Sequence, residues 1–104
     1  MHFVLLATHT AEVCPTSNQS TRDLVVEIGP QIPAIAERNG VNIVAGPYVN
    51  HEHITVAVVE ADSAEAVDRF LLESRLAQWN SVRVLPSQPL QQGMEDLKEQ
   101  APLF

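Results

Sequence analysis

Four residues of this 104-residue chain could act together on a metal ion: three of its four histidines and its single cysteine. They are His9, His51, His53 and Cys14. Imidazole nitrogen and thiolate sulfur are ligands that suit zinc, iron and copper. The set therefore predicts a transition-metal site, with His53 and Cys14 as candidates for a direct catalytic role.

The segment YVNHEHIT, residues 48–55, carries two of these histidines one residue apart. On an extended strand, side chains at this spacing share a face with Cα atoms about 6.5 Å apart. Both imidazoles could then reach one ion at about 2.0–2.1 Å. Histidines also occur at strand starts because the position is half exposed, so this pair needs a further ligand to indicate a metal site.

Apolar runs and helical periodicity predict the order β-α-β-β-α-β. The predicted strands are residues 3–7, 41–50, 53–61 and 81–86. A first helix is predicted from Ser20, in a capping box with Asp23, to Arg38. It should break at Gly29-Pro30, because proline lacks the backbone donor. A second helix, capped by Asp62 or Ser63, is predicted to run to about Asn80.

The predicted topology brings the end of the first strand to the start of the third, because these two strands are neighbours and antiparallel. His9 should therefore lie near His51 and His53. Cys14 follows His9 by five residues in the adjoining loop and could bend into the same space. Thr16, next in that loop, belongs to a Ser/Thr/Asn-rich stretch typical of helix caps.

The strands are apolar on both faces, which a single sheet with one wet face does not require. Val4 and Leu6 alternate with Phe3 and Leu5, and the third strand shows the same pattern. Each large apolar side chain that stays exposed to water loses roughly 1.5–3 kcal/mol of the stabilisation that burial would give. A second copy packed sheet to sheet would cover them, so the sequence predicts a homodimer.

With its strands FVLLAT and ITVAVVEA and the passage EADSAEAVDRFL, the chain resembles the dimeric α+β barrel superfamily over roughly residues 2–86. That superfamily includes small antibiotic-biosynthesis-type monooxygenases, muconolactone-isomerase-like proteins and stress-responsive barrel proteins. The resemblance implies an α+β, ferredoxin-like domain over residues 1–88 whose four-stranded antiparallel sheet forms a dimeric barrel. Residues 89–104 are predicted as a C-terminal tail that packs on the body or on the partner subunit. The superfamily spans many chemistries, so no branch and no reaction follows.

Six basic residues against thirteen acidic ones give a net charge of −7, which disfavours nucleic acid and anionic membranes as partners. A single cysteine excludes an internal disulfide, and we found no secretory signal or membrane-spanning pattern. We therefore expect a soluble, cytoplasmic protein.

Three functions remain open at this point, beside a plain structural dimer in which His51 and His53 would tolerate alanine. The first is a metal-dependent oxidoreductase with oxygenase-like chemistry on a small molecule, held in a cavity lined by Thr55, Ala57 and Val59. The second is a cofactor-free monooxygenase- or isomerase-like enzyme with a histidine such as His53 as general base. The third is a protein that binds a metal or ligand without turnover.

Overall fold

The computed structural model describes residues 1–102. Its strands are β1 (His2–Thr8), β2 (Asn42–Tyr48), β3 (Ile54–Glu60) and β4 (Ser81–Ser87). They form an antiparallel sheet in the order β2-β3-β1-β4. With helices after β1 and after β3, this arrangement is an α+β fold compatible with the predicted ferredoxin-like topology.

Helices follow β1, β3 and β4. They are α1 (Gln19–Ile28), α2 (Ile32–Arg38), α3 (Ala64–Glu73), α4 (Leu76–Trp79) and α5 (Leu90–Glu99). A single 3-10 turn, Gly29–Gln31, separates α1 from α2, which confirms the predicted break at Gly29-Pro30. Proline fits there because the first residues of a helix need no donor.

Two side chains cap the helices at their amino ends. Ser63 accepts a hydrogen bond from the Ala66 amide at 3.2 Å, as predicted for α3. The predicted start of α1 at Ser20 is wrong, because Asn18 caps that helix and accepts from the Thr21 amide at 3.0 Å. The amide side chain of Asn18 reaches the free backbone donor first, so α1 begins two residues earlier than the Ser20 box implies.

The second predicted helix is not continuous to Asn80. It ends at Glu73, and Arg75 adopts a left-handed conformation (φ 67°) before the short α4 begins. A left-handed residue interrupts the repeating helical hydrogen bonds, which turns the chain toward β4.

One face of the sheet carries the hydrophobic core under the helices. Phe3, Leu5 and Val59 are buried on this face, and Val67 and Phe70 of α3 pack against them. Ile35, Ala36 and Leu71 complete the contact between the two helical segments and the sheet.

Among residues 1–102, no helix packs over the opposite face of the sheet. Strand pairing places Val4 beside Val58 and Leu85, and Leu6 beside Val56 and Arg83. Their side chains, apart from the exposed Arg83, are half-buried. We call Val4, Leu6, Ile54, Val56, Val58 and Leu85 the uncovered face.

The three residues predicted to line a cavity in the dimer lie on the helix-covered side of the sheet. Val59 is buried in the helix-covered core and Ala57 packs against that core. Thr55 pairs with the buried Ala7, which places it on the same side of the sheet. Alternation along β3 therefore sends these three side chains toward the helices, and the uncovered face presents Ile54, Val56 and Val58 instead.

The edge strand β2 is irregular around Gly46. Its pairing with β3 shifts register around Ala45 and again before Tyr48. Gly46 has φ 82°, and a Cβ there would lie 2.6 Å from the Val56 carbonyl oxygen. Glycine alone allows this close approach of the two strands.

The C-terminal segment, which the sequence predicts only as a tail that packs on the body or on the partner subunit, forms the ten-residue helix α5. No α5 residue is buried. Leu103 and Phe104, two of the apolar residues of the predicted tail, lie outside the described residues. Among the helices of residues 1–102, none combines the length and apolarity needed to cross a bilayer.

Candidate metal centre

The structure brings together three of the four predicted ligands at one end of the sheet. One ligand atom each from His9, Cys14 and His53 lies within 4.8 Å of the others. His9 directly follows β1 and His53 directly precedes β3. The His9 amide donates to the His53 carbonyl at 3.2 Å, which extends the ladder between these strands by one step. The antiparallel pairing of β1 and β3 therefore sets this juxtaposition.

Cys14 is held inward by a tight loop that leads into α1. The amides of Ser17 and Asn18 donate to the Cys14 carbonyl at 2.9 and 2.8 Å. The Asn18 side-chain amide donates to the Glu12 carbonyl at 3.1 Å, so the residue that caps α1 also ties down the loop. Arg22 donates to two further loop carbonyls. The Cys14 side chain is consequently buried although it lies in a polar loop.

Asn80 orients His9 and fixes its tautomer. The Asn80 side-chain nitrogen donates to the Leu76 carbonyl at 3.0 Å, so its oxygen faces His9 at 2.9 Å from Nδ1. An amide oxygen only accepts, so His9 Nδ1 carries the proton. In the neutral imidazole, the other ring nitrogen, Nε2, then carries the lone pair. Ligand histidines in metal proteins are held in this way.

His53 is placed by the turn between β2 and β3. Asn50 accepts hydrogen bonds from the amides of Glu52 and Ile54 at 3.0 and 3.2 Å, and donates to the Ile54 carbonyl at 2.6 Å. His53 itself is left-handed, with φ 59°. Such a conformation is uncommon for a residue other than glycine and directs the imidazole away from the course of an extended strand.

Two ring nitrogens in the cluster are buried without a partner. His9 Nε2 and His53 Nδ1 make no hydrogen bond with any described residue. Buried polar atoms are nearly always satisfied, and an exception calls for a bound water, an ion or a chemical role. A metal ion at about 2.0–2.3 Å from each ligand would hold donor atoms about 3.5 Å apart. Modest inward movement of the three side chains would reach that spacing.

The surroundings of Cys14 favour its thiolate. Hydrogen bonds from the side chain and backbone of Thr16 lower the pKa of the Cys14 thiol from 9.0 to about 6, against the opposing effect of burial. The Thr16 hydroxyl lies 3.0 Å from Sγ, and His9 and His53 make smaller contributions to the same lowering of the pKa. A thiolate is the form of cysteine that binds metals and attacks electrophiles.

His51 does not join the cluster. It is exposed in the turn, and the segment from Asn50 to His53 is not extended. The reasoning that places His51 and His53 on one face requires extended backbone, so it does not hold here. His2 lies at the far end of β1, away from the cluster, where its Nε2 is 2.9 Å from Oε1 of Glu60.

Two residues beside the cluster are not indicated as site residues by the sequence. Asn80 follows α4 with no distinguishing motif, and Trp79 has its ring 4.9 Å from that of His9. The His9 and His53 rings are 5.2 Å apart. The side chains at this end of the helix-covered layer therefore enclose the imidazoles.

Comparisons of the chain with protein-family models, with curated proteins and with solved structures found no match. The argument for function consequently depends on the geometry of the cluster.

Proposed function

We propose that this protein binds one transition metal ion through His9, Cys14 and His53. The observation that supports the proposal is the pair of buried, unpartnered imidazole nitrogens beside a cysteine whose thiolate is favoured. Two imidazoles and one thiolate suit zinc, copper or iron.

Three protein ligands leave a coordination position open, which is the arrangement of a catalytic ion rather than a structural one. The ion would supply Lewis acidity or redox chemistry at that position. We therefore propose a metal-dependent oxidoreductase, with oxygenase-like chemistry on a small molecule, as the leading function. A reduced thiol also fits a cytoplasmic location.

Metal titration of the metal-free protein tests this proposal. We expect one equivalent of zinc(II), copper(I) or iron(II) to bind, under anaerobic conditions for the last two. His9→Ala, His53→Ala and Cys14→Ser should each weaken binding by about tenfold or more, because each removes a ligand.

His51→Ala and His2→Ala are matched controls, since both histidines lie outside the cluster. They should bind metal like the wild type. Absence of binding by the wild type, or equal loss in His51→Ala and His53→Ala, would refute the proposed ligand set.

A second candidate is cofactor-free chemistry, with Cys14 as nucleophile and His53 as general base. The observation in its favour is the lowered pKa of Cys14 next to two imidazoles. An activity that is insensitive to chelators but lost in Cys14→Ser and in His53→Ala would favour it over the metal enzyme.

We also propose that two copies pack through the uncovered face to form the dimeric barrel. Four strands about 4.8 Å apart and about 23 Å long present a face on the order of 400 Å². The half-buried apolar side chains on that face support an interface there. The metal ligands come from the other, helix-covered side of the sheet, so metal binding does not require the dimer.

A further inference from the structure

Three rows of residues cross the sheet on the side of the uncovered face. Directly opposite residues of antiparallel strands point to the same side of a sheet, so the strand register defines each row from edge to edge. In the order β2, β3, β1 and β4, the first row is Asn42, Glu60, His2 and Ser87, the second is Ala45, Val58, Val4 and Leu85, and the third is Tyr48, Val56, Leu6 and Arg83. The second row is entirely apolar, whereas the other two carry ionisable groups that a partner surface has to accept.

Three ionisable side chains lie in the first and third rows. Nε2 of His2 is 2.9 Å from Oε1 of Glu60, and both side chains are partly exposed. Arg83 is exposed at the β4 edge and makes no ion pair with any of residues 1–102. An ionised group that is buried without a partner is costly, so two copies should meet in a way that places a complementary group over each of these side chains.

Two facing sheets with aligned strands can be related by a two-fold axis in one of two directions. The axis lies between the sheets and runs either along the strands or across them. An axis along the strands keeps each row and reverses the strand order, so β4 faces β2 of the second copy. An axis across the strands keeps the strand order and reverses the rows, so the first row faces the opposite strand ends.

We propose that two copies pair through an axis that runs along the strands, because this direction gives each ionisable group a partner. The inference rests on the dimer proposed above and fixes how its two subunits meet. His2 then faces Glu60 of the second copy, and the two pairs form a ring of alternating imidazole and carboxylate groups around the axis. Arg83 faces Tyr48 of the second copy, whose phenol ring can hold the guanidinium by a cation–π contact.

An axis across the strands leaves the same groups without partners. His2 and Glu60 would face the uncharged strand ends at Thr8 and Ile54 of the second copy. Arg83 would face Leu85 and lie on the same edge as its own symmetry mate, offset by only two residues along the strand. Like charges so close in a partly buried interface repel each other, which makes this direction the less stable one.

Crosslinking between different chains tests the direction of the axis. In a Cys14→Ser background, chains with Ser87→Cys are coexpressed with chains that carry Asn42→Cys. The protein is then treated with a bis-maleimide that spans about 10 Å, the distance between facing sheets. The two positions lie at opposite edges of the first row, so an axis along the strands brings them face to face. We expect a covalent heterodimer on a denaturing gel.

The matched control combines Ser87→Cys with Ser81→Cys on different chains. These two positions lie at opposite ends of β4 and face each other only when the axis runs across the strands. With the axis along the strands they are about 25 Å apart, beyond the reach of the reagent. The control should therefore give at most a tenth of the product of the first pair.

The contact between Arg83 and Tyr48 is tested by light scattering over a range of concentrations. Arg83→Ala and Tyr48→Ala should each weaken dimerisation by about tenfold, and the double variant should lose little more, because both substitutions remove one shared contact. Arg69→Ala, on α3, is the control and should leave dimerisation unchanged. Losses that simply add in the double variant would overturn this contact.

The outcomes separate this inference from the other proposals. A dimer that yields the product of Ser87→Cys with Ser81→Cys, or yields neither product, would overturn the axis along the strands and leave the proposed dimer standing. A monomer in light scattering would refute the dimer and this inference together. Metal titration tests the metal site separately, since its ligands come from the helix-covered side of the sheet.

Discussion

Cys14 lies where the hydroxyl and the backbone of Thr16 stabilise a negative charge on sulfur. The depressed pKa, about 6 against 9.0, means that the folded protein releases the thiol proton at a lower pH than the unfolded chain does. Between these values the unfolded state binds more protons, so folding stability rises with pH. The contribution is fully present above about pH 9 and is lost as the pH falls through about 6.

Thr16→Val should raise the pKa of Cys14 toward its ordinary value, because the hydroxyl of Thr16 is the first cause of the depression. Thiolate absorbance in the ultraviolet, followed against pH in the metal-free protein, gives the midpoint. The same substitution should flatten the rise in stability between pH 6 and 9.

Thr10→Val is the matched control, as Thr10 is an exposed threonine of the same loop whose side chain makes no hydrogen bond with the described residues. Its midpoint should stay at about 6. A wild-type midpoint near 9.0 would contradict this account of the thiol.

At the residue scale, the sequence predicts those members of the His/Cys cluster that strand pairing brings together. His9 and His53 flank neighbouring antiparallel strands, so topology alone brings them together. The prediction that His51 shares a face with His53 assumes an extended backbone, and the left-handed conformation of His53 in the turn breaks that geometry. The contact of Asn80 with His9 could not be predicted from the sequence, because it depends on where the end of α4 lies in the fold.

At the element scale, the turn between β2 and β3 positions His53. The Asn50 side chain makes three hydrogen bonds to backbone groups of residues 52 and 54, as a neighbouring strand would do. Asn50→Ala should lower the free energy of unfolding by about 1–2 kcal/mol, since the turn is exposed and each bond is worth about 1 kcal/mol or less. It should also weaken metal binding, because the turn fixes the imidazole.

Thermal unfolding and the metal titration check this prediction together. Asn42→Ala is the control, because Asn42 is exposed on β2 and its side chain makes no hydrogen bond with residues 1–102. Equal effects of the two substitutions would show that the turn does not position the ligand.

Strong local signals explain which elements the sequence predicts. Pro30 cannot donate a backbone hydrogen bond, so the break between α1 and α2 is predictable. Arg75 has no such signal, since left-handed residues are usually glycine or asparagine and an arginine does not mark one. The helical form of α5 is hidden by its polar composition.

At the scale of the whole molecule, apolar residues on both faces of the sheet predict an assembly. Val56→Glu puts a charge in the uncovered face and should shift the protein from dimer to monomer, because the charge would be buried without a partner. Light scattering at micromolar concentration measures this change.

Val26→Glu is the control for that variant. Val26 is 70% exposed on α1, away from the sheet. It should leave the dimer intact. A wild-type mass of 11.4 kDa would contradict the dimer directly.

X-ray absorption at the edge of the bound metal tests the central claim most directly. For the loaded wild type, we predict a coordination shell of two imidazole nitrogens and one sulfur, with sulfur at about 2.3 Å for zinc. Cys14→Ser should lose the sulfur while His51→Ala leaves the spectrum unchanged. A wild-type spectrum without sulfur, or one altered equally by His51→Ala and His53→Ala, would contradict a centre built from His9, Cys14 and His53.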